Sequence, residues 1–98
     1  MCVAPEGGVA LDGVDVSKEA IIQGVVTRDD RPVRGAYVRL LDGSGEFTAE
    51  VPTSAAGEFR FFAGPGQWTL RTLAPKTAPV DRTVVAARGS IAEVGIAV

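Results

Sequence analysis

The sequence predicts an all-β domain built as a sandwich. Three observations carry that expectation. Short apolar segments recur roughly every 8–12 residues, the spacing of a β-sandwich or barrel. Clusters of Gly, Pro, Asp and Ser separate them, as at Asp29-Asp30-Arg31-Pro32 and Gly43-Ser44-Gly45. Two aromatic segments, Glu58–Ala63 and Gln67–Leu73, flank Gly64-Pro65-Gly66. Gly57 and Gly66 can take the positive φ that turns require, and Pro65 fixes φ near the value of a first central turn residue. The same stretch reads as a hairpin, with Phe59 and Phe61 paired to Trp68 and Leu70 across the turn; such aromatic pairs add about 0.2–1 kcal/mol each.

Taken in order, residues 1–19 lack periodicity and carry Gly7, Gly8, Gly13 and Pro5, which reads as an extended N-terminal arm. Residues 20–98 form the sandwich domain. Its first strand spans 20–28, with Ile22, Gly24 and Val26 on one face. The second spans 36–42, where Val38 and Leu40 oppose Tyr37 and Leu41. In residues 46–51 the period of two turns Phe47, Ala49 and Val51 inward and Glu46, Thr48 and Glu50 outward. Strands at 58–63, 67–73, 80–86 and 91–98 follow, giving seven. Val84, Val94 and Ile96 complete the expected core. Tyr37, Leu41 and Phe62 sit on second apolar faces, which need a covering arm or a partner, and they are the candidate partner contacts.

Composition narrows the chemistry. The 98 residues make one domain, and an apolar fraction of 46% is enough for a core. Net charge is -2, which provides no basic field for nucleic acid. The eight arginines suit carboxylate or sulfur oxyanions, or simply solvated strand faces. The absence of histidine removes the commonest general base and metal ligand. Asp42, Glu46, Glu50 and Glu58 do not follow calcium-loop spacing and read as solvated acids, so no metal or cofactor is expected. Trp68 reads as core, and only Tyr37 is left as a sugar-stacking surface. No apolar run approaches the roughly 20 residues of a membrane span, and no secretion signal opens the chain, so the expected location is cytoplasmic.

Four blocks match a known pattern in order: Ile22-x-Gly24-x-Val26; Pro32-Val33-x-Gly35-Ala36-x-Val38-x-Leu40; Gly57-x-Phe59-x-Phe61; and Pro65-Gly66-x-Trp68-x-Leu70. They resemble the carboxypeptidase regulatory-like, or prealbumin-like, sandwich. That resemblance implies a seven-stranded Greek key, usually an accessory or binding module. Met1-Cys2, Val38-Arg39-Leu40-Leu41-Asp42, the 46–51 strand and Gly57-Glu58-Phe59-Arg60-Phe61-Phe62-Ala63 resemble small actinobacterial proteins labelled SseC, a family of unknown function. That label implies sulfur metabolism beside a thiosulfate sulfurtransferase.

Cys2 thereby becomes the candidate sulfur acceptor. Removal of Met1 would place its thiol beside an α-ammonium, which lowers the thiol pKa and raises the thiolate fraction. The expected function is a non-enzymatic accessory protein that partners the sulfurtransferase through Cys2. The alternatives are a small-ligand or carbohydrate-binding module, or a structural homo-oligomer joined at exposed strand edges.

Overall fold

The computed structural model describes residues 6–8, 13 and 15–98. Eight strands follow one another: β1 (Ala20–Arg28), β2 (Arg31–Pro32), β3 (Tyr37–Leu41), β4 (Phe47–Pro52), β5 (Glu58–Ala63), β6 (Gly66–Leu73), β7 (Val80–Ala86) and β8 (Ser90–Ala97). Among the described residues there is no helix. The first sheet is centred on β1, with β5 and β2 antiparallel along one edge and β8 parallel along the other. The second sheet has the order β4-β3-β6-β7, antiparallel throughout.

Alternation decides what each strand buries. Ile22 and Val26 of β1, Phe59 and Phe61 of β5 and Ile96 of β8 point into the core from the first sheet. Val38, Leu40, Val51, Leu70 and Ala86 meet them from the second. Trp68, Val84 and Val94 pack at the margin of this cluster. Gly24 keeps the core face of β1 open for its partner Phe59: a Cβ there would lie 1.8 Å from the Val94 carbonyl oxygen and 2.9 Å from the tip of the Phe59 ring. The loop before β3 is tied by Thr53, whose buried hydroxyl accepts the Ala36 N–H and donates to the Val33 carbonyl.

Three expectations need correction. The Gly64-Pro65-Gly66 turn does not close a hairpin. It passes the chain from one sheet to the other, since β5 pairs with β1 while β6 pairs with β3 and β7. Phe59, Phe61 and Leu70 still share one core, but across the sandwich rather than along a ladder. Alternation cannot distinguish the two arrangements, because both bring the same apolar faces together. Gly57 and Gly66 do have positive φ, at 74° and 135°.

The second correction is at Phe47, which is 61% exposed. Leu40 pairs with Ala49 but Leu41 pairs with Phe47, so Thr48 is an extra residue in β4. Such a bulge sends the residues beyond it to the opposite face. The third concerns strand number. Asp29 and Asp30 both adopt positive φ, 52° and 64°, and close a two-residue hairpin that adds the short β2. The eight-stranded sandwich otherwise keeps the predicted strands to within a residue or two at their ends.

Candidate functional site

The outward face of the second sheet follows from the same period of two. Its ladders align three side-chain rows across the strands. Pro52, Tyr37 and Leu73 form the first. Glu50, Arg39, Arg71 and Asp81 form the second, one residue from each of the four strands. Phe47, Leu41, Thr69 and Thr83 form the third. Tyr37 is 49% exposed, and Val85 lies further along β7, also largely exposed.

The charged row is held by short contacts. Arg39 donates through Nε to Glu50 Oε2 at 2.6 Å. Arg71 grips Asp81 with two bonds, Nε to Oδ1 and Nη2 to Oδ2, both 3.0 Å. The hydrogen bond from Arg71 holds the Asp81 carboxyl below the usual carboxylate range, and Asp81 raises Arg71 in return. The Arg39 guanidinium carbon also stands 5.9 Å from the centre of the exposed Phe47 ring, within cation–π range. The result is a polar strip of two oriented guanidiniums, with an aromatic ring beyond each side of it.

The candidate contacts separate in space. Tyr37 belongs to this face. Phe62 is 38% exposed on the outward face of the other sheet, in a row with Ile21 and Ile91. Tyr37 and Phe62 therefore cannot share one contact patch. Leu41 is 6% exposed, so it offers little surface on this face. It does oppose Leu40 as expected, but Phe47 and Thr69 flank it on the neighbouring strands. Cys2, the candidate sulfur acceptor, lies outside the described residues. Trp68 turns its indole N–H to the Gly64 carbonyl at 2.8 Å and its ring toward the core margin.

Of the four acids weighed as cation ligands, Asp42 and Glu46 share the β3–β4 turn, and Glu50 and Glu58 have other surroundings. Asp42 accepts from the Ser44 N–H, the Ser44 hydroxyl and the Glu46 N–H, which shape the β3–β4 turn and keep its carboxyl low. Glu50 holds Arg39. Glu58 lines an open cleft of about 310 Å³ on the outward face of the first sheet, where Glu6 and Gly8 lie beside β1 and β5. Across its floor Arg60 donates to the Gln23 side chain at 2.9 Å, and Gln23 donates to Glu93 at 2.7 Å.

Sequence reading missed Arg39, Arg71 and Phe47. Alternation through Tyr37-Arg39-Leu41 and Thr69-Arg71-Leu73 places each arginine on an outward face. It does not reveal that the two are neighbours, because that requires the β3–β6 register.

A family model described as a protein of unknown function, DUF1416, matches residues 2–98. The chain belongs to the DUF1416 family. An uncharacterised protein of Mycobacterium tuberculosis is 59% identical to this DUF1416 chain over 75 residues, covering 74% of the chain and 75% of the relative. Among solved structures, the major pilin subunit of Bacillus cereus aligns with a TM-score of 0.70 at 17% identity, over 82% of the chain. The chain spans only 28% of that pilin. A dioxygenase domain, from a dioxygenase carbohydrate-binding protein fusion of Streptomyces sp. SirexAA-E, aligns with a TM-score of 0.65 at 11% identity, over 99% of the chain and 89% of the domain. At such identities the likeness is one of fold: a β-sandwich that serves proteins of different kinds.

Proposed function

We propose that this DUF1416 chain is a non-enzymatic interaction module that docks on a partner protein through the outward face of the β4-β3-β6-β7 sheet. The observation that carries the reading is the composition of that face. Tyr37 and Phe47 stand exposed on either side of the ordered Arg39 and Arg71, and aromatic residues with arginine are the types enriched at the centres of protein interfaces. Isolated exposed apolar residues are ordinary on any surface, whereas a set brought to one continuous four-stranded face is what a partner can cover. The sandwich supplies the rigid support that such a contact needs.

The test is site-specific photocrosslinking in a lysate of the cell that makes the protein, with the reactive residue placed at Tyr37, Phe47 or Phe62. Discrete adducts at Tyr37 and Phe47, with none at Phe62, are expected. Adducts at Phe62 alone would overturn the choice of face, and no discrete adduct at any position would count against docking altogether.

The finer reading, which rests on the SseC resemblance, makes the partner a thiosulfate sulfurtransferase and Cys2 the acceptor. The Cys2 thiolate would attack the outer sulfur of the enzyme's persulfide, leaving a persulfide on Cys2 and a thiolate on the enzyme. Incubation with thiosulfate and its sulfurtransferase should then add about 32 Da to Cys2, the mass of one sulfur, reversibly with a thiol reductant. A mass unchanged after full turnover of the sulfurtransferase would remove Cys2 from this role.

A further inference from the structure

We infer that the centre of the docking face is a carboxylate-recognition site formed by Arg39 and Arg71. Resting on the docking reading above, the partner presents an Asp or Glu side chain bordered by apolar residues. The charge order of the central row carries the argument. Across the strands it runs acid, base, base, acid: Glu50, Arg39, Arg71, Asp81. Arg39 and Arg71 are direct cross-strand partners. Like charges directly opposite each other destabilise a ladder, and an interleaved order would have avoided this. The observed order places both bases on the central strands, with each guanidinium turned toward its own acid on an edge strand.

The donors left over point to the ligand. Arg39 spends Nε on Glu50, and Arg71 spends Nε and Nη2 on Asp81. Among the described residues, Arg39 Nη1 and Nη2 and Arg71 Nη1 have no hydrogen-bond partner. The planar Nη1–Nη2 pair of Arg39, held at its base by Glu50, suits the two oxygens of a carboxylate, and Arg71 Nη1 is a further donor on the neighbouring strand. Anchoring by Glu50 and Asp81 reduces the side-chain freedom that binding would otherwise remove. Tyr37 and Phe47, on the rows at either side, supply apolar contact to what surrounds that carboxylate and exclude water as it docks.

The same row argues against a second copy of this chain as the occupant. Its order reads the same from both ends. A two-fold axis lying in the face, along the strands or along the row, stacks acid on acid and arginine on arginine when the rows are centred. A partner with a carboxylate at that centre meets no such repulsion.

The experiment is a titration of the ¹⁵N-labelled protein with phenylacetate and with its neutral analogue phenylacetamide, at ionic strength matched with sodium chloride. The readouts are the arginine Nε–Hε signals and the Tyr37 and Phe47 amides. Phenylacetate is expected to move the Arg39 and Arg71 signals saturably, and to bind about three- to tenfold more tightly than phenylacetamide, the scale of exposed charge-assisted bonds. Arg71→Lys, which keeps the charge but loses the fork, should erase most of that preference while leaving the phenylacetamide shifts at Tyr37. Equal binding of the two probes at this face would overturn carboxylate recognition while leaving the docking face intact. Phenylacetate shifts spread evenly over all the arginines would overturn it as well. If neither probe moves a signal of this face, the inference fails, and the crosslinks at Tyr37 and Phe47 judge the docking reading separately.

Discussion

Two buried threonines illustrate how one residue type can act with opposite signs. Thr53 and Thr72 are both fully buried. The Thr53 hydroxyl is satisfied twice, by the Ala36 N–H and the Val33 carbonyl. The Thr72 hydroxyl sits on the core face of β6 beside Val38, and among the described residues it has no partner. A buried polar group without a partner costs about 1–3 kcal/mol, and a valine of nearly the same shape carries no such group. Thr72→Val should therefore stabilise the fold by about 1 kcal/mol. Thr53→Val should destabilise it by about 1–3 kcal/mol, because it strands a buried N–H and a carbonyl. Urea unfolding of the two variants checks both signs. Neither difference was legible in the sequence: Thr53 lies just past β4 and Thr72 within β6, and only the three-dimensional neighbours show which hydroxyl is bonded.

At the scale of elements, the β1–β2 hairpin holds an unfavourable pair. Type I′ turns require positive φ at both central residues and favour Asn-Gly or Asp-Gly. Here both positions are aspartates, at φ 52° and 64°. Asp30→Gly would place an Asp-Gly turn on the same backbone. Relief of left-handed strain outweighs the added freedom of the unfolded chain, and the variant should gain about 0.5–1 kcal/mol. A rise of roughly 2–6 °C in the thermal midpoint is the expected reading. The turn itself was visible as Asp29-Asp30-Arg31-Pro32, whereas the two-residue β2 after it was too short to carry any periodicity. Phe47 shows the complementary limit. Strict alternation turns it inward, and a single extra residue, Thr48, turns it outward. A bulge leaves no mark on composition, because it is a mismatch between two strands rather than a property of either one.

For the whole molecule, charge sets the response to pH. Asp15, Asp42 and Asp81 have carboxyls lowered by hydrogen bonds, from Ser17, from Ser44 and Glu46, and from Arg71 respectively. Each binds fewer protons folded than unfolded, so stability rises with pH between the two values. Their contribution is complete above about pH 5 and is lost as pH falls below the unfolded value near 3.9 and on through the folded ones. With no histidine in the chain, the thermal midpoint should stay level between about pH 6 and 8 and drop on acidification below about 4. Thermal melts across that range test it; a steep change near neutrality would contradict it.

The sequence by itself determined where the strands lie and which side of most of them turns inward. Both are local: a period of two and a turn residue act within a few positions, as Ile22, Val26, Val38, Leu40, Phe59 and Ile96 show. Only the tertiary structure decided which strand lies beside which. That choice sends Gly64-Pro65-Gly66 between the sheets, puts Tyr37 and Phe62 on opposite outward faces, and sets Arg39 against Arg71. Pairing depends on hydrogen-bond register between distant segments, and any two strands with the same apolar alternation satisfy the sequence pattern equally well.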